Sequence, residues 1–429
     1  SPQMMDHGFL ETEAGIAFPE DGGVRVIGAA QVPYADQMWL SKCLALPMEK
    51  SRLIEPYSGG AFGGRGDISV QLVIALGALL TGRPCRMAWS RSEHFRAGPK
   101  RHPCKIWTRT AASQEGELLA HQARIVADTG GYAIFGDNIL ETIIENITGL
   151  YRIPNVKVDA WSALTNNPIC GAFRGFGAPQ ACLAIEGQMS ALARILEVDE
   201  IAFRLQNILS QGETAGMGHQ LTLPVGIKET LKAAASHPLW KNRGEYTRTD
   251  GPIRRGVGMA VAAKGYSLGI NDAPDFSAVD IILTEDGRFL LTTGIVELGQ
   301  GSFTVLMQMA AEVLNCGPEF FDVMAADTVY HPDSGTTAAS RITYAVGLSS
   351  MDAARKMDEQ ICLLASQKWE VPIDQVILED GLVRNSETAE TLTLSDIAKL
   401  ASGELRVESR LRVPYSEVPS EGGLLHPHI

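Results

Sequence analysis

An α+β fold, arranged as two similarly built mixed α/β domains over residues 1–215 and 216–429, is what the sequence predicts. Three observations carry this expectation. At 429 residues the chain is too long for one ordinary core, so about two to four domains are expected. Strand-like and helix-like runs are mixed along both halves, as in α/β or α+β architectures. In each half a Gly-rich stretch opens directly into an apolar helical run, 59–66 before 68–81 and 294–301 before 302–314. That loose match suggests two halves facing one ligand.

The first clear unit starts at Ser58-Gly-Gly-Ala-Phe-Gly-Gly-Arg-Gly-Asp67. The apolar run from Ile68 to Thr81 predicts a helix that stops at Gly82, with Pro84 just beyond. Cys85 to Trp89 reads as a strand, and Ser90-Arg-Ser-Glu93 has the capping-box pattern of another helix start. Cys104 to Thr110 and Leu118 to Ala127, separated by Gln114-Glu-Gly-Glu117, read as a β-hairpin. A helix over Asn138 to Leu150, a strand over Val156 to Leu164 and a long helix over Pro179 to Leu196 follow, that helix with Pro in its first turn. Residues 210–224 and 241–252 lack periodicity, and the domain break is placed there. The second half reads as a strand over Gly256 to Ala263 and a hairpin of Val279 to Leu283 with Phe289 to Thr293, turning at Glu285-Asp-Gly287. Helices over Ser302 to Leu314 and Tyr344 to Glu370 follow, then smaller irregular elements to Ile429.

Composition narrows the function. An apolar share of 45%, a charged share of 20% and a net charge of -13 disfavour nucleic acid or an anionic membrane as partner, leaving small molecules and proteins. The longest apolar runs fall short of a membrane span and the first residues lack a signal-peptide pattern, so the cytoplasm is the expected compartment. The seven cysteines are scattered without C-x-x-C spacing, which disfavours disulfides, a zinc ribbon and an iron–sulfur cluster held within this chain. The nine histidines show no H-E-x-x-H spacing, and His426-Pro-His428 reads as a frayed tail. A metal working here must be held by something other than side chains.

Four loops could bring backbone N–H groups close to an anionic or heteroaromatic ligand: Gly59 to Gly66, Gly171 to Gly177, Gly299 to Gly301 and Ser334 to Ser340. Where such a loop opens into a helix, the helix N-terminus adds attraction for phosphate. A single Gly-rich turn is more often structural than a ligand cradle. None fits the P-loop or the G-x-G-x-x-G dinucleotide fingerprint.

Taken in order, the motifs resemble the molybdenum-cofactor subunit of xanthine dehydrogenases, aldehyde oxidases and related hydroxylases. They are Asp6-His-Gly-Phe-Leu-Glu11, Gly59-Gly-Ala-Phe-Gly-Gly64, Arg101-His-Pro103, Tyr151-Arg-Ile-Pro-Asn155, Gly171-Ala-Phe-Arg-Gly-Phe-Gly177, Glu297-Leu-Gly-Gln-Gly301 and Thr336-Thr-Ala-Ala-Ser340. The resemblance implies two domains of the molybdenum-cofactor-binding type around a shared cofactor cleft. It implies molybdopterin, with the cytosine dinucleotide among its forms, and a metal held by the pterin and by oxygen and sulfur ligands. Backbone at Phe62, Gly63, Gly64, Arg174, Gly175 and Ala339 would then approach the cofactor, with Phe62, Arg174 and Ala339 nearest the molybdenum. Gly299, Gln300, Gly301, Ala339 and Ser340 would meet the pterin. For Phe62, Phe173 and Phe176 core packing is the bland alternative, weakened by the glycines around them. The reaction implied is hydroxylation of an electron-poor carbon with water, with a glutamate as general base. That glutamate lies in a Gly-Glu motif expected beyond Ile429, so the chain is expected to be a fragment or one part of a split subunit, inactive alone. Iron–sulfur and flavin groups would sit on partner domains or subunits, and a homodimer of the full complex is among the assemblies allowed.

The sequence departs from the purine-oxidising pattern. Where those members carry a glutamate and an arginine for the substrate's polar edge, this chain has Gly66 and Thr142. A stacking aromatic is replaced by Leu268, Phe176 remains as a stacking ring, and a glutamine near the metal falls at Met5. Without the charged pair xanthine loses its main recognition, so an aldehyde or a small N-heterocycle is expected. The Gly-Asp-Ile-Ser-Val-Gln71 run resembles the nicotinate dehydrogenase branch. Asp67 is expected to cap a helix, Glu297 to bond backbone or face solvent, and His102 to order a loop. The alternative from another class is a catalytically silent cofactor-binding or assembly scaffold.

Overall fold

The computed structural model describes residues 3–412 except 219, 266–274, 325 and 402. These residues pack as two units that do not follow the chain order. Unit I is formed by residues 7–98 together with 275–412, and unit II by 3–6 together with 99–265. The expected 1–215/216–429 partition describes the order of the sequence modules, whereas packing brings the first hundred residues together with the last part of the described chain.

The first stretch of unit I holds β1 (Ala14–Glu20), β2 (Gly23–Gly28), α1 (Pro33–Leu44), β3 (Ser51–Ile54), α2 (Val70–Thr81), β4 (Cys85–Ala88) and α3 (Arg91–Ala97). Its strands form a sheet in the order β3-β2-β1-β4. The β1–β2 turn needs two left-handed residues, supplied by Asp21 (φ 47°) and Gly22 (φ 75°), and Glu20 therefore pairs with Gly23. Helix α2 lays Ile74, Ala75 and Ala78 on Ala17, Val26 and Leu53 of this sheet. It ends at Gly82 in the left-handed conformation, and α3 starts with the expected capping box of Ser90 and Glu93. The β1-β2-α1-β3 segment precedes the first unit read from the sequence.

Unit II holds β5 (Cys104–Ala112), β6 (Leu118–Gly130), α4 (Gly136–Glu145), β7 (Asn155–Leu164), α5 (Ala178–Ile195), α6 (Glu200–Asn207), α7 (Ile227–Ser236), α8 (Pro238–Lys241), α9 (Arg243–Tyr246), β8 (Arg248–Asp250) and β9 (Ile253–Arg255). The hairpin of β5 and β6 is antiparallel as expected, and β7 joins β6 in parallel after the α4 crossover. Helix α4 stops at Glu145, short of the expected Leu150, where the chain passes into tight turns, Ile147 N–H donating to Ile144 O at 3.1 Å and Gly149 N–H to Asn146 O at 3.0 Å. The Gly256 to Ala263 segment forms neither strand nor helix, a departure from the expectation. Its Val261 N–H is instead taken by Glu186, which also pairs with the fully buried Arg204 at 2.9 Å.

The second stretch of unit I adds β10 (Phe276–Leu283), β11 (Phe289–Thr292), α10 (Ser302–Val313), β12 (Phe321–Val323), α11 (Gly347–Trp369), β13 (Val376–Glu379), β14 (Leu382–Asn385), β15 (Thr391–Thr393), α12 (Leu394–Leu400) and β16 (Leu405–Arg412). Its larger sheet has the order β12-β11-β10-β16, covered by α10 and α11 over a core of Ile281, Leu291, Leu306, Ala310, Ala353 and Met357. Beyond residue 371 the described chain is regular, not irregular as expected. A three-stranded sheet forms there, and β16 pairs with β10 along its whole length.

Candidate functional site

Between β3 and α2 of unit I the 58–66 loop makes two tight turns, Gly64 N–H donating to Ala61 O at 2.9 Å and Gly66 N–H to Gly63 O at 3.1 Å. Phe62 sits between them at φ 54°, a conformation costly for a non-glycine residue. Gly64 cannot be larger, because a Cβ there would stand 2.7 Å from Phe9 and 3.0 Å from the His7 ring. The loop is anchored from below by Arg65, which is 1% exposed. Its guanidinium meets Glu11 at 3.2 Å and Glu13 at 3.4 Å and lies 4.8 Å over the Phe9 ring. The Asp6 to Glu11 motif therefore supports the Gly-rich loop through His7, Phe9 and Glu11.

Two further loops of unit I follow β11. In residues 294–301 the Glu297 carboxylate accepts from Gly299 N–H and Gly301 N–H at 2.9 Å and from Phe303 N–H at 3.2 Å. Glu297 is thus backbone-bonding as expected, but the consequence for phosphate is a correction. The N-terminus of α10 already carries a carboxylate of its own chain, so it adds no free attraction for an anion. Gln300 accepts from Leu298 N–H at 2.6 Å and donates to Val296 O and Ser302 Oγ, each at 2.9 Å. Those local bonds must rearrange wherever the amide donates to a ligand. In residues 334–340, Ala339 (φ 53°) and Ser340 (φ 52°) are consecutive left-handed residues. Arg341, wholly buried, holds this loop from beneath by donating to Ser334 O at 2.8 Å and Thr336 O at 3.0 Å while pairing with Asp275.

In unit II the 171–177 loop enters α5 with Phe176 at φ 46°. Phe176 N–H donates to Phe173 O at 2.7 Å, and its ring meets Phe135 edge-on at 5.9 Å. Arg101 stacks 3.8 Å over Phe173 and donates to the Arg174 carbonyl at 2.9 Å. The Arg174 side chain is exposed, which leaves its backbone as the part that the fold holds in place. His102 is buried, a loop-ordering residue whose carbonyl accepts from Gln180 at 3.3 Å, and burial pushes its ring pKa down to about 4.

Buried carboxyls collect around the unit I loop. Burial pushes Glu55 up to about 9, over the lowering effects of the Ser58 hydroxyl, Arg65 and a backbone bond at Ala30, so it is protonated at neutral pH. Burial also raises Glu13, against Arg65, and raises Asp67, against the Ile68 N–H. Asp67 does not cap α2, contrary to expectation. The cap position is Ser69, whose N–H is taken by the Gln71 side chain at 2.8 Å.

Phe62, Gly63, Gly64, Gly66, Gly299, Gln300, Gly301, Ala339 and Ser340 thus belong to unit I, and Thr142, Arg174, Gly175 and Phe176 to unit II. Thr142 is buried in α4 with its hydroxyl donating to Asn138 O at 3.0 Å, and Met5 is exposed. Leu268 lies outside the described residues. Four of the described non-glycine residues at positive φ, Phe62, Phe176, Ala339 and Ser340, fall in these loops. Sequence reading missed Gln31, whose side chain accepts from Gly63 N–H and donates to Thr337 O, each at 3.0 Å, and Arg341, and it quoted Arg65 and Thr337 within motifs without giving them a role. Their partners are remote in sequence or are backbone atoms, neither of which a local motif records. Among the described residues no group of three or more His, Cys, Asp or Glu is placed to hold a metal ion, and no helix is long and apolar enough to cross a membrane.

Loops of each unit thus present strained left-handed backbone, and among the described residues no side-chain metal cluster lies beside it. Two family models, each described as a molybdopterin cofactor-binding domain, match residues 2–208 and 231–423. A probable xanthine dehydrogenase subunit of Bacillus subtilis (strain 168) is 33% identical over 424 residues, covering 98% of this chain and 56% of that protein. The nicotinate dehydrogenase large molybdopterin subunit of Eubacterium barkeri is 40% identical over 235 residues, 54% of this chain and 55% of that protein. Quinoline 2-oxidoreductase from Pseudomonas putida 86 superposes with a TM-score of 0.83 at 21% identity, over 96% of this chain and 56% of that one. The chain belongs to the family of molybdopterin-binding large subunits of xanthine dehydrogenases and aldehyde oxidases. It spans about half the length of the curated relatives it matches.

Proposed function

We propose that this chain is the cofactor-cradling part of a molybdenum hydroxylase that oxidises an electron-poor carbon of an N-heterocycle or an aldehyde with water. Electrons would pass to iron–sulfur and flavin partners. The observation that carries this reading is the coincidence of strained left-handed residues, Phe62, Phe176, Ala339 and Ser340, with the loops of the family motifs. Such strain persists where the surroundings over-determine it, and it collects at ligand clamps. The residues present fit the group. Gly299 and Gly301 have open space where a Cβ would stand, and among the described residues the Phe62 N–H has no acceptor. When bound, molybdopterin supplies the redox-active metal and an activated oxygen for hydroxylation. Gly299, Gln300 and Gly301, with Ala339 and Ser340, would hold the pterin, and backbone at Phe62, Gly63 and Arg174 would orient the metal end. The catalytic base would be a glutamate outside residues 1–429.

The substrate follows from what is lacking at Gly66 and Thr142. Gly66 offers no side chain, and the Thr142 hydroxyl is engaged with its own helix. Neither supplies the charged hydrogen bonds that would select xanthine, and the kinship with nicotinate dehydrogenase favours a small aromatic heterocycle. The test is molybdenum analysis and pterin fluorescence on the natural-length protein purified with its partners, followed by turnover of nicotinate, an aldehyde and xanthine with an artificial electron acceptor. Metal, pterin and turnover of the heterocycle or aldehyde are expected. A preparation without metal or pterin would favour the silent scaffold, and preference for xanthine would remove the substrate assignment.

A further inference from the structure

Strands β5, β6 and β7 of unit II bury one face of their sheet, where Ala123 and Ile125 pack in one core with Ile139 of α4 and Ala181 of α5. Every second residue points the other way, and the register lines these up across the three strands. Trp107, Arg124 and Asp159 form one row, and Arg109, Gln122 and Lys157 form the next. Lys105 and Trp161 lie in the row on the far side of Arg124.

Two features set this outer face apart from ordinary surface. The Arg124 guanidinium lies 5.7 Å from the centre of the Trp107 ring and 5.3 Å from that of Trp161, yet the two rings are 53% and 49% exposed. Exposed apolar side chains scattered singly are normal, but two tryptophans gathered on one arginine bring together the residue types in which binding energy concentrates at protein interfaces. Beside the Arg109 row, the small side chains of Ala111 and Ala120 leave a depression of about 430 Å³ walled by Arg109, Gln122, Asn155 and Lys157. The second feature is charge. The face sets the exposed Lys105, Arg109, Arg124 and Lys157 against one carboxylate, Asp159, which stands 3.8 Å from Lys157. Among the described residues Lys105, Arg109 and Arg124 form no ion pair. A basic, tryptophan-bearing face thus stands on a chain whose net charge is -13. That overall charge repels long polyanions and anionic membranes, so the complement to this face is a local group of carboxylates on a folded protein.

We propose that the outer face of the β5-β6-β7 sheet docks a carboxylate-rich surface of a partner subunit, with Trp107, Arg124 and Trp161 at the centre of the contact and Lys105, Arg109 and Lys157 around it. This rests on the reading above that partner subunits take up the electrons.

The test uses the natural-length protein purified with its partners. A water-soluble carbodiimide, which joins a lysine amine to a carboxylate in contact with it, is expected to link Lys105 and Lys157 to Asp or Glu side chains of a partner subunit when the products are mapped by mass spectrometry. Subunit association is then followed by sedimentation at low salt. The Arg109→Glu and Lys157→Glu double variant is expected to bind the partner subunit roughly tenfold more weakly than wild type. The Lys368→Glu and Arg384→Glu pair places the same change of charge on exposed positions of unit I and is expected to bind as wild type. Thermal melting checks that both variants fold, and should the Arg109 and Lys157 variant fail to do so, the wild-type cross-link map decides alone. Equal weakening by both pairs would make the effect one of overall charge and overturn the assignment. Unchanged association would overturn it too, as would cross-links from Lys105 and Lys157 only to a second copy of this chain. Copurifying subunits whose cross-links all fall elsewhere would overturn the docking face alone, whereas a chain that purifies with no other subunit would overturn the electron-transfer partnership and the docking face with it.

Discussion

Glu55 shows what a single buried group does beneath the loop. Its carboxyl titrates near 9 in the fold against an ordinary value of 4.5, so the folded state binds a proton that the unfolded state has lost between those values. The stability tied to that proton is fully present below about 4.5 and is lost as pH rises toward about 9. The loss across that window approaches ~1.4 kcal/mol per pH unit for one group. Glu55→Gln keeps an acceptor for Ser58 without a titrating proton, and should flatten the fall in denaturation midpoint between pH 6 and 9 relative to wild type. An unchanged slope would mean that Glu55 is ionised in the fold. Arg65 makes the complementary case. Arg65→Leu strands Glu13, which is 2% exposed, and should cost about 3 kcal/mol by urea denaturation. The lower end of the range applies because Glu13, already raised by burial, can take up a proton. Phe62 and Phe176 were legible as candidate site residues because their motifs are contiguous. Gln31 and Arg341 were not, since Gln31 bonds residues 32 and 306 positions away and Arg341 serves mainly carbonyls and a distant aspartate.

Elements with local stop and start chemistry were the legible ones. The Gly82 stop of α2, the Ser90 and Glu93 box of α3 and the turn between β10 and β11 all rest on side chains within a few residues of the event. The β1–β2 hairpin carried such a signal in Asp21-Gly22 that went unread, whereas β16 had none, because its partner β10 precedes it by more than 120 residues. The 256–263 segment has a strand-like composition, but tertiary packing gives one of its N–H groups to Glu186 and leaves it outside any sheet. Helix α10 yields the prediction at this scale. Glu297 serves three amides at its N-terminus, so Glu297→Ala should destabilise by about 1–2 kcal/mol and accelerate hydrogen exchange at Gly301 and Phe303. Unchanged exchange at those amides would show that the carboxylate does not hold the loop.

At the scale of the molecule, the decisive feature is that unit I is assembled from residues 7–98 and 275–412. The two stretches are joined by more than the Gln31 and Thr337 pair. Arg52 binds Asp327 at 2.6 Å, Thr328 N–H donates to Leu53 O at 3.0 Å, and Glu55 N–H donates to Ala326 O at 2.9 Å. The loop motifs at 59–64, 297–301 and 336–340 are therefore parts of one packed body, although they are spread over most of the chain. Linear reading assigned them to two halves because pattern and composition record nothing about which distant segments pair. It follows that cutting the chain between residues 215 and 216 parts the two stretches of unit I from one another. Polypeptides 1–215 and 216–429 expressed apart should leave residues 14–54 and residues 276–340, respectively, weakly protected from hydrogen exchange. Mixed during refolding, they should restore that protection together, because the joining contacts are noncovalent. Native-like protection of 14–54 in the 1–215 polypeptide alone would show that the first stretch folds without the second, and the three loops would then have to be positioned independently of one another.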